Sequence, residues 1–423
     1  KTRYTLADLL KDLQTKGVLA LSKTNTVTTD YHDLKEATPE AIITAMYDLS
    51  DLPKEEVTLL SVFAVLPAEN IPFENLETLL PDRQETLDIH LLSLVQKGWI
   101  GYERSTQSFK CSPIIQAIVR KKNPNLSKDC QNLISTLIEK LHPEKTHEKN
   151  YKYSTLFTQY AESVVAGFPK PINIFSILYE RIGYYHEATG NINKMLNAFT
   201  KANEIDESLY KNNKTNTIYK HYLSLSYLKL GDTNTKLGEL PEALKLFKKY
   251  EKLLKELYEA SKDAVSFRHG LTLVYERLGD IYDKLQNFEI ALDYFQKQAK
   301  LSKDLCDEYP DSIKFKNGLA NVYQFLGKIY AKKAKLNRAL NFFEQSYKIQ
   351  QELCNDSPND KYFKDGLATS YQYLGLTHAE LGNVDNAIFF LKFKMAKLCW
   401  RVPSSSATAI KPGAFIIVHS GLK

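Results

Sequence analysis

Cysteine is scarce: there are five in 423 residues, all far apart and none in a CxxC pair. That excludes a disulfide-stapled fold and a zinc ribbon, and it fits a reducing, cytoplasmic compartment. No apolar run approaches the ~20 residues that a membrane-spanning helix needs, and no basic-then-apolar leader opens the chain. There is no GxxxxGK[ST] loop; the nearest string, Leu326-Gly327-Lys328, lacks the upstream glycine. Without that cradle of backbone N–H groups a nucleotide's phosphates have no seat, so these residues are not expected to hydrolyse ATP. HExxH and GxSxG are also missing. His142 and His147 read as solvated linker residues, since no His/Cys cluster has zinc spacing. The sequence therefore assigns no catalytic residue, no metal and no cofactor.

What is present is ordinary in bulk and ordered in detail. Hydrophobic residues at 43% and charged residues at 25% describe a folded chain long enough for two or three domains. The net charge of +6 is interspersed, slightly acidic over residues 1–165 and basic beyond. Such a surface reads as solvated helix more than as a nucleic-acid footprint. The chain opens on Lys1, already inside a helical pattern, and reads as a fragment whose preceding domain stays open.

The strongest signal is internal. Gly231, Gly279, Gly327 and Gly375 recur every 48 residues, accompanied by Tyr227, Tyr275, Tyr323 and Tyr371 and by Leu230, Leu278, Leu326 and Leu374. Ala243, Ala291, Ala339 and Ala387 follow the glycines, and Phe247, Phe295, Phe343 and Leu391 follow the alanines. Cys306 and Cys354 share this spacing and read as buried helix residues. A weaker first copy carries Tyr179, Ile182, Gly183, Leu196 and Phe199. Within one copy, Leu271, Val274, Tyr275, Leu278, Ile281 and Tyr282 form a single helical stripe. After a break at Gln286-Asn287 a second stripe carries Ile290, Ala291, Tyr294 and Phe295, and Pro310 ends it. A glycine inside a helix costs about 1 kcal/mol against alanine, so its recurrence predicts a close helix crossing, with the recurring alanine as its partner.

This pattern resembles the tetratricopeptide repeat: Tyr275, Leu278-Gly279, Tyr282, Ala291 and Phe295, and again Tyr323, Leu326-Gly327, Tyr330, Ala339 and Phe343. The resemblance spans residues 176–395, with a period longer than the usual ~34, which implies elongated helices. It implies a mainly α superhelix of helical hairpins whose first helices line a groove for a protein or peptide partner. The groove candidates are Glu276, Asp280, Asp283, Asn321, Gln324, Lys328 and Gln372.

Residues 1–165 do not repeat. Thr5 can cap a helix ended by Gly17, and Thr38-Pro39-Glu40 starts another. Val57–Leu66 is apolar nearly all round, as for a central helix. Short helices follow at Phe73–Leu80 and Leu87–Val95, the second closed by Gly98. Then come a hairpin (Trp99–Tyr102 with Ser108–Cys111) and a helix over Pro113–Lys121. The run resembles the winged-helix module of the signal-transduction NTPases with numerous domains, a group that includes NB-ARC proteins. In that family a Phe-x-Met-His-Asp/Pro-Leu segment follows the hairpin. Phe109, Pro113 and Ile114 match it, while Cys111 and Ser112 stand where Met-His stands, so the phosphate-contacting imidazole is absent. The expected plan is a helical segment at 1–47, a winged-helix-like domain at 48–125, a connector at 126–175, the repeats at 176–395 and an irregular tail at 396–423. The expected function is a non-catalytic interaction scaffold in signal transduction. A DNA-binding regulator, or an NTPase when whole, is the alternative. Against DNA, the third helix offers Glu85, Asp88 and His90, with Lys97 the one base near it.

Overall fold

The computed structural model describes residues 27–28, 36–37, 47–143 and 151–399. The helices expected after Thr5 and Thr38, His147, and the tail from Trp400 lie outside them. The chain divides into two compact units, 1–238 and 239–423.

In the first unit, β1 (Val27–Thr28) pairs antiparallel with β2 (Glu36–Ala37). These four residues are strand where a helical segment was expected, in keeping with the β-branched run at Val27. Helix α1 (Lys54–Val65) is central, with every residue from Leu59 to Val65 buried. Its buried Glu56 accepts from Lys97 Nζ at 2.8 Å and from Ser93 Oγ at 2.8 Å. That pairing ties α1 to α3 (Leu87–Gln96), which follows α2 (Phe73–Leu79). The expected hairpin is β4 (Gly101–Glu103) with β5 (Ser108–Lys110). A strand not foreseen, β3 (Ile71–Pro72), completes an antiparallel sheet of order β3-β5-β4. Two residues, one of them an edge proline without an N–H, leave no readable periodicity.

Ser112 opens α4 (Pro113–Lys122), its Oγ accepting from the Ile115 N–H at 3.3 Å. Gln116 Nε2 donates to the carbonyls of Phe63 and Leu66 at 2.8 and 2.9 Å, satisfying the end of α1. Next come α5 (Leu126–Asp129), α6 (Gln131–Lys140) and α7 (Tyr151–Gly167), then α8 (Phe175–Ala188), α9 (Ile192–Asn212) and α10 (Thr217–Leu237). One buried core runs from Leu59 to Ile205, continuous across residues 125 and 175.

Among the described residues the second unit holds seven consecutive helices: α11 (Leu240–Ala260), α12 (Val265–Lys284), α13 (Phe288–Glu308), α14 (Ile313–Lys332), α15 (Leu336–Asp356), α16 (Lys361–Glu380) and α17 (Val384–Cys399). From α9 to α16 each helix is 20 or 21 residues long. The extra residues of the 48-residue period therefore lengthen both helices of each pair. The turn inside each pair holds one left-handed residue in the same register: Gly190 (φ 73°), Gly238 (φ 81°), Gln286 (φ 59°), Ala334 (φ 55°) and Gly382 (φ 79°).

The glycines have a different partner from the one expected. A Cβ on Gly279 would stand 2.5 Å from Cε1 of Phe295, and one on Gly183 2.5 Å from Cε1 of Phe199. Gly327 meets the Phe343 ring likewise, and Gly375 meets the Leu391 side chain. The glycine thus makes room for the large residue four places beyond the alanine. An aromatic ring laid flat on a bare helix backbone buries more apolar area than a methyl could. Ala243, Ala291, Ala339 and Ala387 are buried, as is Gly231.

Candidate functional site

The first helices of the second unit's pairs are α12, α14 and α16. Their inward stripes are spent on the core: Leu278, Leu326 and Leu374 are all but fully buried. Aromatic stacking joins neighbouring pairs, with Phe295 on Phe325 at 5.1 Å between ring centroids and Phe343 on Tyr373 at 5.0 Å. Those contacts join successive pairs and leave the remaining faces of the first helices half-buried, with Leu376 exposed among them.

The seven groove candidates fall into three kinds. Gln324 is buried, its Nε2 donating to Ser370 Oγ of α16 at 3.2 Å, so it joins two helices and lines no groove. Asp283 accepts from Lys332 Nζ at 2.6 and 2.7 Å, a tie between α12 and α14. Glu276 takes Arg277 Nη1 at 2.7 Å and Gln298 Nε2 at 3.2 Å, and burial pushes its carboxyl above the usual range. These three carry side-to-side packing. Asn321 and Gln372 are half-buried. Asp280 and Lys328 are half-buried too, but carry charge: Asp280 pairs with Lys284 at 2.7 Å, and Lys328 Nζ lies 5.3 Å from the Phe325 ring and 5.0 Å from the Tyr373 ring.

Sequence reasoning missed the third member of that row. Leu376 stands one period beyond Lys328, as Lys328 stands one beyond Asp280, and it is 46% exposed. The same register carries the signal, but a leucine on an amphipathic helix does not stand out from those of the core. The surface thus carries an acid, a base and an apolar group at equivalent points of three parallel helices. Such a row can read a partner by complementary charge and shape. Among the described residues no group of three or more His, Cys, Asp or Glu could hold a metal ion. No helix among them is long and apolar enough to cross a membrane. Burial pushes the Cys111 thiol up to about 12 and the Cys130 thiol higher still.

Comparison with known proteins returns the tetratricopeptide repeat at residues 177–209, 273–305 and 320–353. Each match starts in the first helix of a pair and ends in the second: α8–α9, α12–α13 and α14–α15. No curated protein matches the chain. Among solved structures, BtubC (BKLC) from P. vanneervenii is similar at 15% identity over 68% of this chain and 99% of its own, with a TM-score of 0.43. The apo form of RapI aligns at 14% identity over 63% and 97%, with a TM-score of 0.43. YrrB, described as a TPR protein with an unusual peptide-binding site, aligns at 18% identity over 52% and 86%, with a TM-score of 0.32. The three matched segments coincide with helix pairs on the 48-residue period, and the chain therefore carries tetratricopeptide repeats.

Proposed function

We propose that this chain is a non-catalytic scaffold that docks a protein partner on the first helices of its repeats. The observation that carries the reading is the row Asp280, Lys328 and Leu376, three chemically different groups at one register position, Leu376 exposed and the two charged residues half-buried, each held by contacts near its own helix face and not by a tie deep in the packing. A photo-crosslinking amino acid placed at Lys328 should trap the partner in cells, whereas the same group at Lys297, exposed on the second helix α13, should not. Equal trapping at both positions, or none at Lys328, would remove the support.

The signalling half of the proposal rests on the N-terminal module. Helices α1 to α3 with the sheet β3-β5-β4 suit a winged helix, here read as a relay toward a nucleotide-binding domain in a longer protein. Two apolar residues on α3, Ile89 and Leu92, are 61% and 48% exposed, which suits a protein neighbour better than a duplex. Lys97, the base nearest that helix, is engaged by Glu56, so the DNA-binding alternative has no free cation there. Ser112 serves as the cap of α4, which gives it a structural task in place of nucleotide sensing. The module's test is Ile89→Asp with Leu92→Asp in the full-length protein: loss of signalling with unchanged partner binding is the expected result, and unchanged signalling speaks against the relay.

A further inference from the structure

In the first unit a crevice of about 70 Å³ opens between α8, α9 and α10. It lies at a register position that is basic on α10 and α12 (Lys229, Arg277) and aromatic on α14 and α16. Phe325 and Tyr373 occupy the same register position on their helices, and each stacks on the phenylalanine of the preceding pair. On α10 that position is Lys229, which borders the crevice but turns its Nζ to the Tyr184 ring at 4.7 Å from the centroid. The plug is missing, and the space above Phe199 stays open.

The wall of this space is a carboxylic acid. Asp206 of α9 is 4% exposed and accepts from Ser176 Oγ of α8 at 2.5 Å. Ser226 of α10 borders the crevice, fixed by Asn203 Nδ2 at 2.8 Å and by its own bond to the Leu223 carbonyl at 2.9 Å. Glu180, the second acid on the lining, takes the Tyr184 hydroxyl at 2.9 Å. Among the described residues no cation pairs with Asp206. A carboxylate buried with hydroxyl partners alone is an uncompensated charge, and an entering cation relieves it. Burial holds the carboxyl up at about 6, so it is ionised at pH 7.5. Ile177, Tyr222 and Leu225 form an apolar lip suited to a methylene stem. At roughly 30 Å³ per water, the space takes a small group and not a ring system.

We propose that this crevice binds a primary alkylammonium group, the end of a lysine side chain presented by a partner, with Asp206 as counter-ion. The site is separate from the row on α12, α14 and α16, and either proposal can fail without the other.

The test follows the Ile177 methyl signal of isotope-labelled full-length protein at pH 7.5 and constant ionic strength. Titration with n-butylammonium chloride should shift that signal saturably, while n-butanol, neutral and of the same length, should not. Asp206→Asn should weaken binding about 10- to 100-fold, the range that a charge-assisted hydrogen bond supplies. Lys229→Phe, which restores the plug, should abolish it with the other methyl signals intact. A lysine-centred pentapeptide and its acetyl-lysine counterpart then separate a peptide source from a free amine. The proposal is overturned by no butylammonium shift, by an equal response to butanol, or by full binding in Lys229→Phe.

Discussion

Ala334 holds the left-handed turn of its helix pair at φ 55°, where three of the five equivalent turns use glycine. A side chain in that conformation costs about 1–2 kcal/mol. Replacing Ala334 with glycine removes the cost but adds freedom to the unfolded chain, worth about 0.4–1 kcal/mol. Ala334 is exposed, so almost no packing is lost. The net expectation is a gain of about 0.5–1 kcal/mol. The reciprocal change is cleaner still. A methyl at Gly382 would meet nothing within 4 Å, so Gly382→Ala tests the backbone alone and should cost about 1 kcal/mol. Urea unfolding followed by circular dichroism, with hydrogen exchange to locate the effect, measures both; repeat arrays can unfold in parts, so local protection is the sharper readout. If Ala334→Gly destabilises, or Gly382→Ala is neutral, backbone strain does not govern these turns.

Three further outcomes are expected. Gly279→Ala places a methyl against the Phe295 ring and should destabilise by about 1–3 kcal/mol through overpacking, with loss of exchange protection in α12 and α13. Asp206 has a folded-state value of about 6 against 3.8 when free, so its contribution is favourable at low pH and is lost as pH rises through 6. The gap of roughly two units corresponds to about 3 kcal/mol. Asp206→Asn should therefore be more stable than the parent at pH 7.5, and the difference should shrink toward pH 4; a constant difference across that range would refute the linkage. Cys111 and Cys130, buried and raised, should resist iodoacetamide at pH 8 in the native protein and react in urea, as read by peptide mass spectrometry.

The proposed docking row was half legible. Asp280 and Lys328 are polar on an amphipathic helix, so period alone places them off the apolar stripe, but period could not tell them from Gln324, which the fold turns inward to Ser370. In the N-terminal module, α1 stands out by its long apolar run, α4 by its capping serine, and α2 and α3 by the helical spacing of their leucines. Strand β3 does not, because a two-residue strand exists only through its partner β5.

By itself the sequence determined the helix pairs. A 3.6-residue periodicity restarting every 48 residues, with small residues at fixed places, admits little else, because apolar stripes must be buried against one another. Tertiary structure alone decided what each small residue faces, since which side chain reaches a bare backbone depends on the crossing of two helices. It also decided where a missing plug leaves space: Lys229 reads as one more surface lysine until Phe325 and Tyr373 show that a ring can fill its position.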